Sequence, residues 1–208
     1  MIAIVSYGSG NLAAISNIYT QLRIPHVIAT SRADIEGADR YILPGVGHFG
    51  QTMSTVRVSG LIDALREQVV GAGKPLLGIC VGMQVLADFG EEGDCAGLGW
   101  IPGTVKRLSR DNVPGGRLPH MGWNSVTIRH DPLGMFRNVD PQTGFYFLHS
   151  FYFEAESAAN VVAEAEYGKQ FACAVSNGRN VFGMQFHPEK SHKNGVEIFR
   201  NFAELKAC

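Results

Sequence analysis

Between residues 2 and 79 the chain alternates short apolar runs with stretches of helical spacing, and that alternation restricts the folds open to it. IAIVS at residues 2–6 is continuously apolar up to Ser6, as a strand buried on both faces is. After the turn YGSG, Leu12, Ile15, Tyr19 and Leu22 recur at helical spacing, with Asn11 placed to cap the helix start. HVIAT (26–30), YIL (41–43), a helical stretch near residues 61–70 and PLLGI (75–79) continue the pattern. Strands alternating with helices imply right-handed βαβ units and a parallel sheet.

The second half changes character. TVKRL, NSVTI, FYFLHSFYFEA, VVAEAEY, FACAVSN and NVFGMQFH are short, β-rich and separated by Gly, Pro or Asn turns, which predicts hairpins. A closing helix over residues 193–206 places Val196, Phe199 and Phe202 on one face. No linker, repeat or low-complexity segment interrupts the chain. The expectation is an α/β fold: a single domain over residues 1–208, with a central mixed, mostly parallel sheet flanked by helices.

Charge removes several function classes. Lys and Arg number 18 against 19 Asp and Glu, a net charge of −1, so there is no basic stripe for nucleic acid. No run approaches the roughly 18 apolar residues of a membrane helix, and the first residues lack the positive segment of an export signal. Cys80, Cys95, Cys173 and Cys208 lie far apart with no CxxC pair, as reduced thiols of a cytoplasmic protein do. No histidines or cysteines have zinc-ligand spacing, so no metal is expected. Gly8 to Ala13 fits G-x-G-x-x-A, but Thr30 and Ser31 stand where a dinucleotide site needs an acid. No cofactor is expected.

The chemistry lies in PLLGICVGMQVLADF. Cys80 follows a buried strand, is flanked at ±2 by Gly78 and Gly82, and leads into a helix, the thiol form of a nucleophile elbow. A turn that sharp leaves no room for side chains at ±2. It also presents the sulfur at a helix N-terminus, where the backbone dipole favours thiolate. The amide of Val81 then faces the point where a carbonyl oxygen becomes negative, giving half of an oxyanion hole. Cys95, Cys173 and Cys208 have no such setting and read as ordinary buried thiols.

A nucleophilic cysteine needs a base, and the base needs an orienting group. His187 ends the last strand-like run and precedes Pro188, which forces extended geometry on it. Extended residues two apart share a side, so Glu189 projects with His187 and can hold one ring nitrogen. In a parallel sheet both Cys80 and His187 fall at the C-terminal strand edge. The loop LPGVGHFG (43–50) can turn a second oxyanion donor inward from Val46 or Gly47, although taken alone it is an ordinary glycine-rich turn.

GICVGMQ with the distant HPE resembles the class I, triad-type glutamine amidotransferases. More narrowly, YGSGNL, LPGVGHFG, GLGWIPG, PHMGWN and FHPEKS are similar to the glutaminase subunits of imidazole glycerol phosphate synthase, and the likeness runs from the first strand to the last helix. Val81 and Val85 stand where leucines are usual. The resemblance implies a flavodoxin-like amidotransferase fold with Cys80 as nucleophile, His187 as base and Glu189 as orienter. It further implies an oxyanion site from Gly45, Val46, Gly47 and Val81, and glutamine held by Gln84 with the backbone of His149, Ser150 and Phe151. Asn11, Met121, Trp123 and Lys190 would face a separate (β/α)8-barrel cyclase subunit in a heterodimer. Without the resemblance, Lys190 reads as a solvated charge and Trp123 as a core aromatic.

The expected reaction is hydrolysis of L-glutamine to glutamate and ammonia in histidine biosynthesis. One domain leaves no residues for a second site to consume the ammonia, and ammonia in neutral water is protonated, so docking on the cyclase is expected, with the free subunit a poor glutaminase. Three other readings remain. A paralogous glutaminase would feed another acceptor, such as a nucleotide sugar in surface-polysaccharide synthesis. A cysteine hydrolase would act on peptide or carbonyl substrates. A flavodoxin-like binding module would use the YGSGN loop to hold phosphate.

Overall fold

The structure is a computed structural model that describes residues 1–131 and 133–205. In chain order its elements are β1 (Ile2–Val5), α1 (Leu12–Leu22), β2 (His26–Ala29), α2 (Arg32–Glu36), β3 (Arg40–Gly45), α3 (Phe49–Val58), α4 (Leu61–Arg66), β4 (Leu76–Cys80) and α5 (Val81–Gln84). There follow β5 (Phe89–Gly90), β6 (Cys95–Ala96), β7 (Gly103–Arg107), β8 (His120–Asn124), β9 (Thr127–Ile128), β10 (Phe145–His149), β11 (Phe151–Ala155), β12 (Val161–Tyr167), β13 (Lys169–Ser176), β14 (Val181–Met184) and α6 (His192–Glu204).

The main sheet runs in the order β2-β1-β3-β4-β14-β13-β11-β7-β5-β6, with β12 and β9 branching from β13. From β2 to β14 the strands are parallel, and beyond β14 the pairing turns antiparallel apart from β5 with β7. The fold is therefore α/β with a central mixed sheet. The inner parallel strands β1, β4 and β14 are buried along their whole length and β3 all but its first residue, as continuous apolar runs require, with Ala3, Ile4, Ile42, Leu43, Leu76 and Leu77 at no exposure. The edge strand β2 leaves Ile28 exposed. β8 and β10 form a separate two-stranded ribbon with Met121 opposite Leu148 and Trp123 opposite Tyr146. None of the described helices is long and apolar enough to cross a membrane.

Several local expectations need correction. Asn11 sits at the N-cap of α1 but its side chain makes no capping bond. The helix near residues 61–70 is α-helical only to Arg66 and finishes as a π-turn, Glu67–Gly71. The helix after Cys80 is one turn long, because residues 97–100 capture its next carbonyls: Leu98 N–H donates to Val85 O at 2.8 Å, Trp100 N–H to Leu86 O at 2.9 Å and Gly99 N–H to Ala87 O at 3.0 Å. Gly97 permits that approach, since a Cβ there would lie 2.1 Å from Ala87 O. In α6 the buried face is Ile198, Phe199 and Phe202, with Val196 half-buried. Lys206 and Cys208 lie outside the described residues.

Candidate active site

β3, β4 and β14 end at one edge of the sheet, with Gly45 opposite Cys80 and Met184 opposite Ile79. Cys80 closes β4 at φ 55°, ψ −113°, a left-handed conformation that a non-glycine residue holds only where its surroundings impose it. The flanking glycines impose it. A Cβ on Gly82 would lie 1.8 Å from Leu43 O, and one on Gly78 would lie 2.5 Å from Gly82 O. Neither position accepts a side chain unless the strand and the following turn separate.

His187 leaves β14 in the extended conformation its proline neighbour demands, at φ −101°, ψ 95°. Its backbone is pinned: His187 N–H donates to Tyr146 O at 2.9 Å, and Ser191 Oγ donates to His187 O at 2.6 Å while accepting from Tyr146 N–H at 3.0 Å. His187 Nδ1 meets Glu189 Oε1 at 2.9 Å with both side chains almost wholly buried, 3% and 2% exposed. Its ring also feels the sulfur of Cys80, which lines the same cavity. Burial pushes the imidazolium down, but the sulfur and Glu189 outweigh it and raise His187 to about 10. The structure thus brings Cys80 together with His187 and Glu189, more than a hundred residues further along the chain.

They open on a cavity of about 270 Å³ lined by Val46, Gly47, Cys80, Val81, Gln84, Glu92, Pro119, Leu148, His149, Ser150, Phe151 and His187. Gln84 is 2% exposed, and its amide nitrogen donates to Phe151 O at 3.1 Å. The bend between β10 and β11 brings the His149–Phe151 backbone to the cavity wall. His149 Nδ1 also meets Phe151 O, at 2.8 Å, and since a carbonyl only accepts, that nitrogen carries the proton. The bare Nε2 then accepts from His120 Nδ1 at 3.0 Å. Burial pushes both rings down, His149 to about 3 and His120 to about 4, so they are neutral at pH 7.

The Gly45–Gly47 loop, expected to offer an oxyanion donor, is held by Ser9. Val46 N–H donates to Ser9 Oγ at 3.0 Å, and Ser9 Oγ donates to Val46 O at 2.9 Å. Ser9 belongs to a neighbouring depression, not to the wall of the cavity, so the Val46 amide faces away from the sulfur.

Of the residues assigned to a partner surface, Met121 and Trp123 lie on β8 of the ribbon and Lys190 in the turn after β14. Met121 is 65% and Trp123 45% exposed, so Trp123 is a surface aromatic and not a core one. Trp123 stacks on His192 at 5.2 Å, and Lys190 Nζ stands 5.6 Å from the Tyr146 ring centroid. Asn11 is half-buried at the start of α1.

Two groups at the site escaped the sequence reading. Glu92 reaches the cavity from the turn after β5 and accepts from Phe49 N–H at 2.7 Å, at the N-terminus of α3. Gln185, with no exposure, places its amide nitrogen 3.8 Å from Cys80 Sγ. The chain bends at Gln185 and Phe186 and forms a 3-10 turn over Pro188–Lys190, so Glu189 meets the His187 ring from that turn and not through the two-residue alternation that the sequence suggests. Among the described residues no cluster of His, Cys, Asp or Glu has the makings of a metal site.

Comparison with known proteins agrees with this geometry. The family model for glutamine amidotransferase class-I matches residues 11–205. The chain is 46% identical to the imidazole glycerol phosphate synthase subunit HisH of Bdellovibrio bacteriovorus, covering 99% of this chain and 100% of the relative. It is 44% identical to the HisH subunit of Leptospira borgpetersenii at the same coverage. A solved glutamine amidotransferase superposes with a TM-score of 0.70 over 98% of both chains at 21% identity, a likeness of fold. The chain belongs to the class I glutamine amidotransferases and, within them, to the family of imidazole glycerol phosphate synthase HisH subunits.

Proposed function

We infer that the chain is the glutaminase subunit of imidazole glycerol phosphate synthase, hydrolysing L-glutamine and passing the ammonia to a cyclase subunit in histidine biosynthesis. One observation carries the reading: a cysteine at a strained elbow shares its sheet edge and its cavity with a buried, carboxylate-held histidine. The Glu92 carboxylate on the wall suits the α-ammonium of an amino acid. Gln84 and the His149–Phe151 backbone offer polar contacts to its other end.

The Cys80 thiolate attacks the side-chain amide carbon of glutamine and the carbonyl oxygen becomes negative. Val81 N–H lies beside that oxygen. The carbon–nitrogen bond then breaks, and His187 supplies the proton with which ammonia departs. Water, deprotonated by His187, attacks the thioester and releases glutamate through a second oxyanion. Glu189 keeps the Nδ1 proton in place so that Nε2 faces the sulfur. Val46 completes the oxyanion hole once its amide leaves Ser9, which makes the free chain a slow glutaminase.

The partner is a (β/α)8 barrel, and Met121, Trp123, Lys190 and Asn11 face it. An exposed methionine and tryptophan on one ribbon suit a protein interface better than solvent. Relatives named as subunits of one synthase favour this acceptor over a nucleotide sugar. The unpaired Cys80, Cys95 and Cys173 suit the reducing cytoplasm. The test is ammonia release from glutamine by the chain alone and with a cyclase subunit and its acceptor substrate. Release should rise at least tenfold with the partner, and equal rates would reject the coupling.

A further inference from the structure

We propose that Gln185 supplies a hydrogen-bond donor to the Cys80 thiolate, and that the Phe151 carbonyl fixes its orientation through Gln84. The inference rests on the reading of Cys80 as nucleophile.

Amide orientation follows from valence alone. Phe151 O only accepts, so Gln84 must turn its NH2 group toward it, at 3.1 Å. The second proton of that NH2 goes to Gln185 Oε1 at 3.0 Å. Turning Gln185 over would set two NH2 groups against each other, so its oxygen faces Gln84 and its nitrogen faces Cys80 Sγ at 3.8 Å. Gln185 has no exposure, and its own backbone is held by Gln185 N–H donating to Cys173 O at 2.9 Å. The side chain therefore has no solvent-facing alternative. Parallel pairing of β14 with β4, in which Met184 stands opposite Ile79, brings residues 80 and 185 out of the sheet side by side.

Two consequences follow. An N–H aimed at the sulfur favours thiolate over thiol and holds the charge beside the elbow while His187 is protonated. Gln84, with both amide protons engaged inside the protein, has only its carbonyl oxygen left for the cavity, so it presents an acceptor to bound glutamine. One carbonyl at the β10–β11 bend thus sets the polarity of the substrate contact and of the nucleophile's donor.

The test is alkylation of the full chain by iodoacetamide as a function of pH, with the modified peptide mapped to separate Cys80 from Cys95. Gln185→Met keeps the volume and removes the donor. The titratable groups facing the sulfur, His187 from the segment after β14 and Tyr7 from the end of β1, remain in both proteins. Cys80 alkylation at pH 7 should slow about tenfold and the midpoint of its pH profile should rise by about one unit. Gln84→Met leaves Gln185 free to turn over, so it should slow Cys80 alkylation in the same direction as Gln185→Met while also raising KM for glutamine, and an alkylation rate unchanged in Gln84→Met would overturn the part assigned to Gln84. A Gln185→Met chain with a native thermal transition and an unshifted profile would overturn the proposal. If that variant does not fold, Gln185→Glu keeps the acceptor for Gln84 and loses the donor; it should slow Cys80 alkylation at least tenfold, and an unchanged rate would equally overturn it. Alkylation needs no glutamine turnover. An unmodified chain that releases no ammonia with its partner would refute the glutaminase reading, whereas normal release with an unshifted Gln185→Met profile would refute this inference alone.

Discussion

The hydroxyl of Ser9 engages both polar groups of Val46, donating to its carbonyl at 2.9 Å and accepting from its amide at 3.0 Å. A single side chain therefore holds both polar groups of Val46, one of the two residues expected to offer a second oxyanion donor. Ser9→Ala removes both bonds and should raise the glutaminase rate of the isolated chain about tenfold, a fraction of the roughly 100- to 1000-fold that one oxyanion donor supplies. Glutamate release without partner measures it. A Ser9→Ala rate equal to that of the unmodified chain would show that this clamp does not limit turnover.

The 2.9 Å contact between His187 Nδ1 and Glu189 Oε1 sets the tautomer of the base. Glu189→Gln preserves the shape of the side chain and allows an amide nitrogen to face Nδ1, which favours the tautomer with its proton on the wrong side. Turnover should fall about 100-fold or more while KM changes little. A loss confined to KM would place Glu189 in substrate binding instead.

The elbow's sterics give a stability expectation. Gly82→Ala drives a Cβ to 1.8 Å from Leu43 O, and Gly78→Ala drives one to 2.5 Å from Gly82 O; each should destabilise the fold by about 3 kcal/mol or prevent folding. At Gly47 an added Cβ meets nothing within 4 Å and only the backbone at φ +108° resists, so Gly47→Ala should cost about 1 kcal/mol. Urea unfolding ranks the three, and a Gly47 variant less stable than the Gly82 one would contradict the steric account.

Acid should destabilise the fold well above the range in which carboxylates titrate. Unfolded, an imidazole takes its proton near 6.5; folded, burial holds His120 to about 4 and His149 to about 3. Between pH 6.5 and 4 the unfolded chain binds more protons, so stability falls with pH, by about 1.4 kcal/mol per unit for each ring. His187 works in the opposite sense. Its raised value leaves it protonated in both states below 6.5, and its contribution disappears only as the pH climbs to about 10. Urea unfolding at pH 5 and pH 6.5 should show the lower stability at pH 5, and equal midpoints would mean that the two rings are solvated.

The parts of this site that sequence made legible are those fixed by local geometry. Gly78 and Gly82 bracket Cys80 because a sharp turn excludes side chains at ±2; the pairing of His187 with Glu189 was also expected, but a 3-10 turn over Pro188–Lys190 makes it, not the alternation of an extended segment. Glu92 was not legible, since it meets Phe49 only after β5 and α3 have packed together. β8 hid behind the proline, histidine and glycine of PHMGWN and is a strand by virtue of its pairing with β10. The helix after Cys80 stops after a single turn because distant residues take its next carbonyls, which nothing beside it in sequence announces. Likewise, nothing near Val46 in sequence announces that Ser9 holds its amide.

The most direct measurement is labelling of the chain with a glutamine-analogue electrophile, followed by peptide mapping. Modification confined to Cys80, blocked by excess glutamine and lost in Cys80→Ala, is the expected result. Labelling at Cys95 or Cys173 with Cys80 untouched, or labelling that glutamine does not compete, would contradict the assignment of this edge of the sheet as a glutaminase site.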